Sequence, residues 1–485
     1  MTSRSAAGAI VELGAVALSR AIHARRVSCA EVMAAYLDRI ERLNPAVNAI
    51  VALQPREDLM RQAGERDADL ARGRSRGPLH GIPLAVKDLA AVAGLPFTQG
   101  SPIFRDRVAG ADSLMAERLR RGGALFIGKT ATPEFGLGSQ TFNPVHGTTR
   151  NAHDPTRTAG GSSGGAAVAV ALRMQPVADG SDHAGSLRNP PAFNNLYGLR
   201  PCYGRIPQAG PDLFTPGLAV EGAIGRSPAD IGLMLSVQAG PDPRCPLAIA
   251  ADPAVFAAPL GRDFAGTRIA WLGDLRGHLP FEPGVLELGR AALADLAAIG
   301  CEVAEACPAF DFEALWRDWL VLRAWLTATS LGPLYADPAR RALLKPEAIW
   351  EVERGLALDA GRVAAALAGR SAWYETLRVF MRRFDFLAMP SAQVFPFDAA
   401  LPWPKRVGGR DMDTYHRWMQ VVIPVTMSGL PALNVPAGFG PEGLPTGIQI
   451  VGPNHGERAC LELGAAYDAA TRWVERRRPP LLDGL

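Results

Sequence analysis

The sequence predicts a single large α/β domain, and three observations favour this fold class. From residue 77 onward, short apolar runs bounded by glycine and proline alternate with segments of helical period. No internal repeat or low-complexity linker divides the 485 residues. Hydrophobic residues make up 48% of the chain and charged residues 20%, as in globular proteins that bury a large core.

The N-terminal segment, residues 1–75, is predicted to be helical. Residues 1–26 are amphipathic with scattered arginines and no continuous apolar stretch, so we interpret them as a first helix and not as a signal peptide. In residues 28–43 apolar side chains share one face, and Ser28 followed by Glu31 fits a capping box.

The alternation of elements continues to the C-terminus. Helices are predicted at 57–73, 112–121, 164–173, 284–299, 310–385 and 457–473. Strands are predicted at 82–86, 124–128, 174–179, 268–273, 301–306, 384–391, 431–439 and 446–452.

Bulk composition limits the partners we expect. The 51 basic and 48 acidic residues leave a net charge of +3 without a dense basic stripe, which argues against nucleic acid. No run of 18 apolar residues predicts a membrane span. The six cysteines contain no CxxC pair, which is typical of free thiols in a reducing compartment, so we expect a cytoplasmic protein. No metal-binding motif is present, and we expect neither a metal nor another cofactor.

One motif match is rejected. Residues 123–130, GALFIGKT, fit the G-x-x-x-x-G-K-[ST] pattern of phosphate-binding loops. Such a loop needs a polar turn that leads directly into a helix. Here the intervening Ala-Leu-Phe-Ile is typical of a buried strand, and Pro133 follows closely. We therefore predict a strand bounded by glycines.

Three other stretches carry candidate functional residues. Lys87 ends the apolar run GIPLAVK, where it either reaches solvent or stays buried with a lowered pKa and acts as a base. Residues 158–172 hold two adjacent serines among four glycines before an Ala/Val helix, a turn suited to close backbone approach. Residues 179–190, DGSDHAGSLRNP, follow a strand, and the small residues at 184–186 let successive N–H groups converge on an oxyanion.

Together and in this order, these stretches resemble the amidase signature family. Its pattern is a lysine after an apolar strand, then GGSSGG, then G-[ST]-D-x-G-G-S-[IL]-R, then GLKPT-x-GR-[IV]. This chain reads AVK at 85–87, GGSSGG at 160–165, GSDHAGSLRNP at 180–190 and GLRPCYGRIP at 198–207. The resemblance extends through 429–452 and is weakest over 208–380.

The resemblance implies a fold and a division of the chain. The fold would be one domain with a twisted mixed β-sheet core flanked by α-helices. After the N-terminal helical segment, residues 77–207 would form the catalytic core and residues 310–420 a variable substrate-pocket region. Residues 421–485 would return to the core.

The resemblance also implies residue roles. Ser186 would be the nucleophile, Ser162 would lie at a non-proline cis peptide bond and pass the proton, and Lys87 would be the neutral base. The oxyanion hole would consist of four successive N–H groups, those of His183, Ala184, Gly185 and Ser186. Five residues would support these loops, namely Gly160, Gly161, Ser163, Asp182 and Arg188, the last two as a structural charge pair.

Two positions depart from the family pattern. Ala184 stands where the family has the first of two glycines, and its methyl group disfavours a positive φ. Cys202 stands where the family has threonine or serine. We interpret Cys202 as a buried small side chain and not as a second nucleophile.

His183 raises an alternative, a Ser-His-Asp esterase. The serine would be Ser186 or Ser181, and the carboxylate would be Asp182 or Asp179. Triad members are normally far apart in sequence, and no G-x-S-x-G elbow frames either serine, so this alternative is less favoured.

The predicted function is that of a serine hydrolase that cleaves the C–N bond of amides through an acyl-enzyme. Bulky or aryl amides are the expected substrates, with carbamates and esters left open, because the variable region holds four tryptophans. These are Trp316, Trp319, Trp325 and Trp350. The alternatives are a glutaminase-type subunit of a tRNA-dependent amidotransferase and a catalytically inactive binding protein. We expect a small-molecule substrate as the partner, and a homodimer is left open.

Overall fold

Helices and strands alternate along the chain, which confirms the predicted α/β class. The computed structural model describes residues 3–210, 212–215 and 217–483. Within these residues the helices are α1 Ser3–Glu12, α2 Ala15–His23, α3 Cys29–Val47, α4 Arg56–Ala71, α5 Leu114–Arg121, α6 Gly164–Ala171, α7 Asn189–Phe193, α8 Pro228–Gln238, α9 Val285–Ala298, α10 Phe312–Ala336, α11 Pro338–Arg341, α12 Pro346–Leu356, α13 Ala360–Phe380, α14 Ile423–Ser428, α15 Glu457–Thr471 and α16 Trp473–Arg476.

The strands are mostly short and buried. They are β1 Ile50–Val51, β2 Pro83–Lys87, β3 Leu125–Thr130, β4 Phe142–Asn143, β5 Gly147–Thr148, β6 Val177–Asp182, β7 Tyr197–Arg200, β8 Val220–Gly225, β9 Arg268–Trp271, β10 Glu302–Glu305, β11 Phe386–Pro390, β12 Arg406–Val407, β13 Arg410–Asp411, β14 Ala432–Phe439 and β15 Pro445–Val451.

A mixed sheet of eight strands forms the centre of the molecule, as the resemblance implied. Its strand order is β10-β9-β11-β15-β14-β7-β8-β6. The pairs β10–β9 and β9–β11 are parallel, and the remaining pairs are antiparallel. Helices α6, α8, α9 and α15 pack against this sheet, so apolar side chains on its strands are covered.

A second, smaller sheet carries Lys87. Its order is β1-β3-β2, with β2 parallel to β3 and β1 antiparallel to it. The rejected phosphate-loop match lies in β3, Leu125–Thr130, whose residues are all buried, so the strand prediction is confirmed. Because β2 packs against β6, the edge strand of the large sheet, the two sheets bring Lys87 close to the segment that follows β6.

The N-terminal predictions are partly confirmed. Helix α3 begins after Ser28, whose side chain and Glu31 form the predicted capping box. The helix runs past residue 43 to Val47 and ends at Asn48, which adopts a left-handed conformation. Residues 1–26 do not form one helix, because α1 and α2 are separated at Gly14. Residues 1 and 2 lie outside the described residues.

The strand predicted at 174–179 is displaced by three residues. Arg173 has a φ of 57° and turns the chain after α6, so β6 begins only at Val177. The strand then pairs with β8 as far as Asp182. The stretch 179–190 therefore begins inside the strand, and the segment from His183 onward follows the end of that strand.

The region 310–385, predicted as continuously helical, forms four separate helices. Pro338 and Pro346 occupy the first positions of α11 and α12, where proline fits a helix start and cannot continue the preceding helix. Helix α10 packs against α12, α13 and α14. This helical layer holds a second apolar cluster, distinct from the cluster around the N-terminal helices and the sheets.

Two further properties of the fold are the state of its cysteines and the character of its helices. All six cysteines are free and buried, and Cys202 is buried as predicted. In the part of the chain that the structure describes, no helix combines the length and the apolar character needed to cross a bilayer.

Candidate active site

Lys87 is a buried amine surrounded by serine oxygens. Its side chain ends β2 and is 1% exposed. Nζ lies 2.9 Å from Ser162 Oγ and 2.8 Å from Ser163 Oγ. It also lies 3.0 Å from the hydroxyl and 3.3 Å from the carbonyl of Ser181. A neutral amine offers two N–H donors and one lone pair, so one of these hydroxyls can donate to Nζ.

The surroundings of Lys87 favour the neutral amine. Burial removes the ammonium from water and lowers the pKa of Lys87 to about 7. The negative charges of Asp179 and Asp182 raise this pKa, but by less than burial lowers it. Asp179 binds the backbone N–H of Lys87, at 3.1 Å, and not its Nζ. At neutral pH a large share of Lys87 is therefore uncharged and able to accept a proton.

Ser162 connects Lys87 to Ser186. The two serine Oγ atoms lie 3.1 Å apart, and the backbone N–H of Ser162 donates to Ser186 Oγ at 2.9 Å. The Gly161–Ser162 peptide bond is cis. Ser162 and Ser186 are 4% and 6% exposed, so both hydroxyls are shielded from bulk water. The three side chains form a continuous chain of contacts from Nζ to Ser186 Oγ.

Neighbouring backbone explains why the turn before α6 is rich in glycine. A Cβ on Gly161 would lie 2.9 Å from the carbonyl carbon of Ser139, and a Cβ on Gly165 would lie 2.4 Å from the backbone nitrogen of Ala131. The Gly161 carbonyl accepts a hydrogen bond from Ser139 Oγ at 2.8 Å. Close packing of this kind fixes Ser162 beside the other two side chains.

Asp182 organises the segment that carries Ser186. Its carboxylate accepts hydrogen bonds from the backbone N–H groups of Gly185 and Leu187, at 2.8 and 3.0 Å. It also pairs with Arg188 at 2.9 Å and with Arg200 at 3.0 Å, and all three side chains are buried. Burial alone would raise the pKa of Asp182, but the two arginine charges outweigh it and hold that pKa well below its usual range.

Backbone N–H groups next to Ser186 are available to an oxyanion. Within residues 3–210, 212–215 and 217–483, no acceptor binds the N–H groups of His183, Ala184 or Ser186. The Gly185 N–H is engaged by Asp182 in this conformation. Gly185 has a φ of 95°, whereas Ala184 avoids positive φ, so its methyl group is accommodated without strain.

The His183 ring does not contact a catalytic candidate. Neither ring nitrogen forms a hydrogen bond with another described residue, and Nε2 is buried without a partner. Burial, together with the nearby Arg323 charge, lowers the pKa of His183 to about 3, so the ring is neutral. The contacts required by a Ser-His-Asp triad between His183, a serine and an aspartate are not made.

A cavity of about 450 Å³ lies near the serines, although Ser162 and Ser186 are not among its lining residues. Gly136 and His183 form part of its wall, and a Cβ on Gly136 would lie 3.4 Å from Ser162 Oγ. One face of α10 forms the opposite part, through Arg323, Leu326, Thr327, Ser330, Leu331 and Leu334. The spacing of three and four residues is that of a single helix face. The remaining lining residues are Gln99, Phe104, Phe135, Leu137 and Pro333.

The tryptophans that suggested a bulky substrate do not line this cavity. Trp316 and Trp319 are buried and stack with their ring centres 4.9 Å apart in the second apolar cluster. Trp325 packs against that cluster, and Trp350 contacts Tyr415 edge-on. The tryptophans therefore give no support for a bulky substrate through this cavity, whose lining residues come both from 310–420 and from 99–183.

A smaller cavity reaches Lys87, and among its residues sequence reasoning missed Gln208 and Glu221. It measures about 140 Å³ and is lined in part by Lys87, Asp179, Ser181, Gln208 and Glu221. Burial raises the pKa of Asp179 to about 6 and that of Glu221 to about 8. Asp179 and Ser181 alternate with Gly180 along β6, so the strand pairing could have indicated that they share a face.

No metal site accompanies these two cavities among the described residues, because no group of three or more His, Cys, Asp or Glu side chains there is arranged to hold a metal ion.

Known proteins match this fold and this order of motifs. The family model described as Amidase matches residues 31–461, so the chain belongs to the Amidase family. It is an amidase-signature hydrolase. Over 475 residues it is 34% identical to the Acylamidase of Rhodococcus erythropolis, with 96% of this chain and 97% of that one covered.

Two further relatives bear on function. The chain is 34% identical over 491 residues to a glutamyl-tRNA(Gln) amidotransferase subunit from Acidothermus cellulolyticus, which covers 96% of this chain and 95% of the relative. Among solved structures, a bacterial aryl acylamidase of the amidase signature family superposes with a TM-score of 0.90 at 26% identity, covering 98% of this chain and 99% of that one.

Proposed function

We propose that this chain hydrolyses bulky or aryl amides through an acyl-enzyme on Ser186, with Ser162 and Lys87 as the proton relay. The observation that carries the proposal is the continuous contact from Lys87 Nζ through Ser162 Oγ to Ser186 Oγ, at 2.9 and 3.1 Å. A serine hydroxyl is a weak nucleophile unless a neighbouring base takes its proton, and this chain of contacts supplies one.

The proposed reaction has two halves. In the first, Ser186 Oγ attacks the amide carbonyl while its proton passes to Ser162 and the Ser162 proton passes to Lys87. The N–H groups of His183, Ala184 and Ser186 stabilise the oxyanion. The C–N bond then breaks as Ser162 gives its proton to the leaving amine, and Lys87 returns a proton to Ser162, so that both are again neutral. In the second half, water attacks the acyl-enzyme by the same route and releases the acid.

The main cavity supports a bulky substrate. Its volume of about 450 Å³ lies within the range of sites for small molecules, and leucine and phenylalanine side chains form much of its wall. The relatives named Acylamidase and aryl acylamidase agree with this choice. Carbamates and esters share the carbonyl carbon that Ser186 would attack, so we include them as further candidate substrates.

The second candidate is a glutaminase-type subunit of an amidotransferase, and a specific observation favours it. The amidotransferase relative is as similar to this chain as the acylamidase is, at 34% identity each. Identity therefore does not separate the two functions. The apolar cavity lining favours the acylamidase, because a primary amide with a charged amino-acid group gains little from leucine and phenylalanine walls.

A substrate panel tests the proposal. The purified chain, without partners, is incubated with an anilide, a bulky aliphatic amide, an aryl carbamate, an aryl ester and glutamine, and the released amine, alcohol or ammonia is measured. We expect turnover of the anilide and none of glutamine. Ammonia release from glutamine, together with no cleavage of the anilide, would contradict the proposal and favour the glutaminase-type function.

A further inference from the structure

Arg323 presents a nitrogen to the main cavity that no other described part of the protein uses. The side chain is 3% exposed and lies on the cavity face of α10. Nε donates to Glu351 Oε1, and Nη2 donates to the Tyr415 hydroxyl at 2.7 Å. Among the described residues, Nη1 has no acceptor. The N–H groups of a buried guanidinium are normally all hydrogen-bonded, so the free N–H groups of Nη1 indicate that an acceptor from outside the protein binds there.

A second polar group in the same wall lacks a partner. Nε2 of His183 is buried and unbonded, and His183 lines the cavity together with Arg323. The rest of the wall is mainly apolar. Arg323 and His183 thus place polar groups without a partner in the wall of a largely apolar cavity, the arrangement by which a site orients a ligand of mixed character.

The charge of the Arg323 cluster decides what kind of acceptor fits. Burial alone would raise the pKa of Glu351, but the Arg323 charge outweighs it and holds that pKa well below its usual range. Glu351 is therefore ionised and neutralises Arg323, and the Tyr415 hydroxyl donates to the same Glu351 oxygen at 2.8 Å. A carboxylate on the substrate would lose its hydration on entering the cavity, and it would find no unpaired positive charge there to compensate.

We propose that Nη1 of Arg323, with the His183 ring beside it, binds a neutral hydrogen-bond acceptor on the substrate, such as a ketone, ether or second amide oxygen. This inference rests on the proposed function and narrows its substrate class. The preferred substrates are amides whose cavity-bound group is apolar except for one such oxygen. Arg323 is thus a specificity residue, and the hydrolytic step itself does not pass through it.

Three nearly isosteric ring substituents test the proposal. N-aryl amides are prepared with an acetyl, an isopropyl or a carboxylate group, in one series on the amine ring and in another on the acyl ring. The ratio of kcat/KM for acetyl over isopropyl is measured in the wild type and in the variants. Dividing the wild-type ratio by the variant ratio cancels the effect of each substituent on leaving-group chemistry.

The main variant removes the whole ion pair, as Arg323→Met with Glu351→Leu, because removing one partner alone would leave a buried charge unpaired. Arg323→Lys is the second variant, since a lysine keeps a charge opposite Glu351 but has no second nitrogen for the substrate. Arg317→Met is the matched control, because Arg317 lies on the same helix but does not line the cavity. Thermal unfolding and turnover of the isopropyl amide show that each variant is folded.

In one of the two series we expect the wild-type ratio to exceed that of both Arg323 variants by about 10- to 100-fold, the usual effect of a hydrogen bond to a charged donor. Arg317→Met should leave the ratio unchanged. Equal ratios in wild type and variants, in both series, would overturn the inference while leaving amide hydrolysis intact. A carboxylate substrate preferred over the acetyl one would overturn the neutral-acceptor assignment. Failure of the wild type to cleave any of these amides would overturn the proposed function as well.

Discussion

The cluster of Lys87, Ser162 and Ser186 differs from the cavity face of α10 in whether its polar groups have hydrogen-bond partners within the protein. Around Lys87, Ser162 and Asp182 the packing is close, and the charged and hydroxyl groups have partners within the protein. On α10 the side chains that face the cavity are mostly apolar, and Arg323 leaves one donor unused by the described residues. Under the proposed function, the contrast means that internal contacts fix the chemistry, whereas substrate choice depends on contacts that only the substrate completes.

The largest expected effect comes from removing the proposed nucleophile. Ser186→Ala should lower kcat by about 10⁶-fold for every substrate, because no acyl-enzyme can form. The rate of amine release from an anilide and from an aliphatic amide measures this loss, and circular dichroism shows that the fold is retained. Turnover within tenfold of wild type would contradict the assignment of Ser186.

His183→Ala is the contrasting variant for that experiment. The His183 ring forms no hydrogen bond with a serine or an aspartate of the described residues, so the loss should be far smaller than for Ser186→Ala. A loss as large as that of Ser186→Ala would restore the Ser-His-Asp alternative.

The next largest effect should follow from removing the base. Lys87→Met keeps the volume and apolar stem of the side chain but cannot accept a proton, so kcat should fall by about 10²- to 10⁴-fold. Lys129→Met is a matched control, because Lys129 is also fully buried and lies beside β2 in β3. Its amine contacts the Ala90 carbonyl and no serine, so kcat should stay within a few-fold. Equal losses in the two variants would assign Lys87 a structural role only.

The pH profile provides a milder test of the same centre. Because the neutral form of Lys87 is the proposed base and burial lowers its pKa to about 7, kcat/KM should rise with pH below that value and level off above it. The Asp179 charge raises the pKa of Lys87, and with its own pKa at about 6 this carboxyl is ionised where Lys87 titrates, so Asp179→Asn should move this rise to lower pH. A profile that is flat between pH 5 and 9 would contradict the role of Lys87.

The smallest effect should come from the cavity face, and only with some substrates. Leu331→Phe narrows the cavity and should lower kcat/KM for a bulky anilide by about tenfold, while a small aliphatic amide is little affected. Leu356→Phe, at an exposed leucine outside the cavity, should change neither. Equal losses for both substrates would show that α10 acts on the chemistry and not on substrate choice.

The sequence was most informative where chemistry demands a fixed local pattern. Lys87, Ser162 and Ser186 could be singled out because their stretches, taken together and in order, resemble the amidase signature family. The structure brings these three side chains together, and the Gly161–Ser162 bond is cis where the resemblance placed it. The alternating apolar runs predicted the α/β class, and the resemblance implied the mixed sheet.

The cavity could not be predicted from the sequence, for a physical reason. Arg323, Glu351 and Tyr415 meet only because α10 and α12 pack together and a later loop folds onto them. Tryptophan content is a poor guide to a pocket, because large aromatic side chains such as Trp316 and Trp319 are equally stable when they pack in the core. The start of β6 was misplaced because the left-handed turn at Arg173 has no glycine to mark it.

The cavity face of α10 also makes the molecule a suitable object for laboratory evolution. Leu326, Thr327, Ser330, Leu331 and Leu334 lie within nine consecutive positions, so one short degenerate oligonucleotide can randomise most of the α10 side of the cavity without altering Lys87, Ser162 or Ser186. Libraries of this kind explore which amides are accepted while the hydrolytic apparatus stays constant. New substrate preferences can therefore be selected from one short stretch of gene.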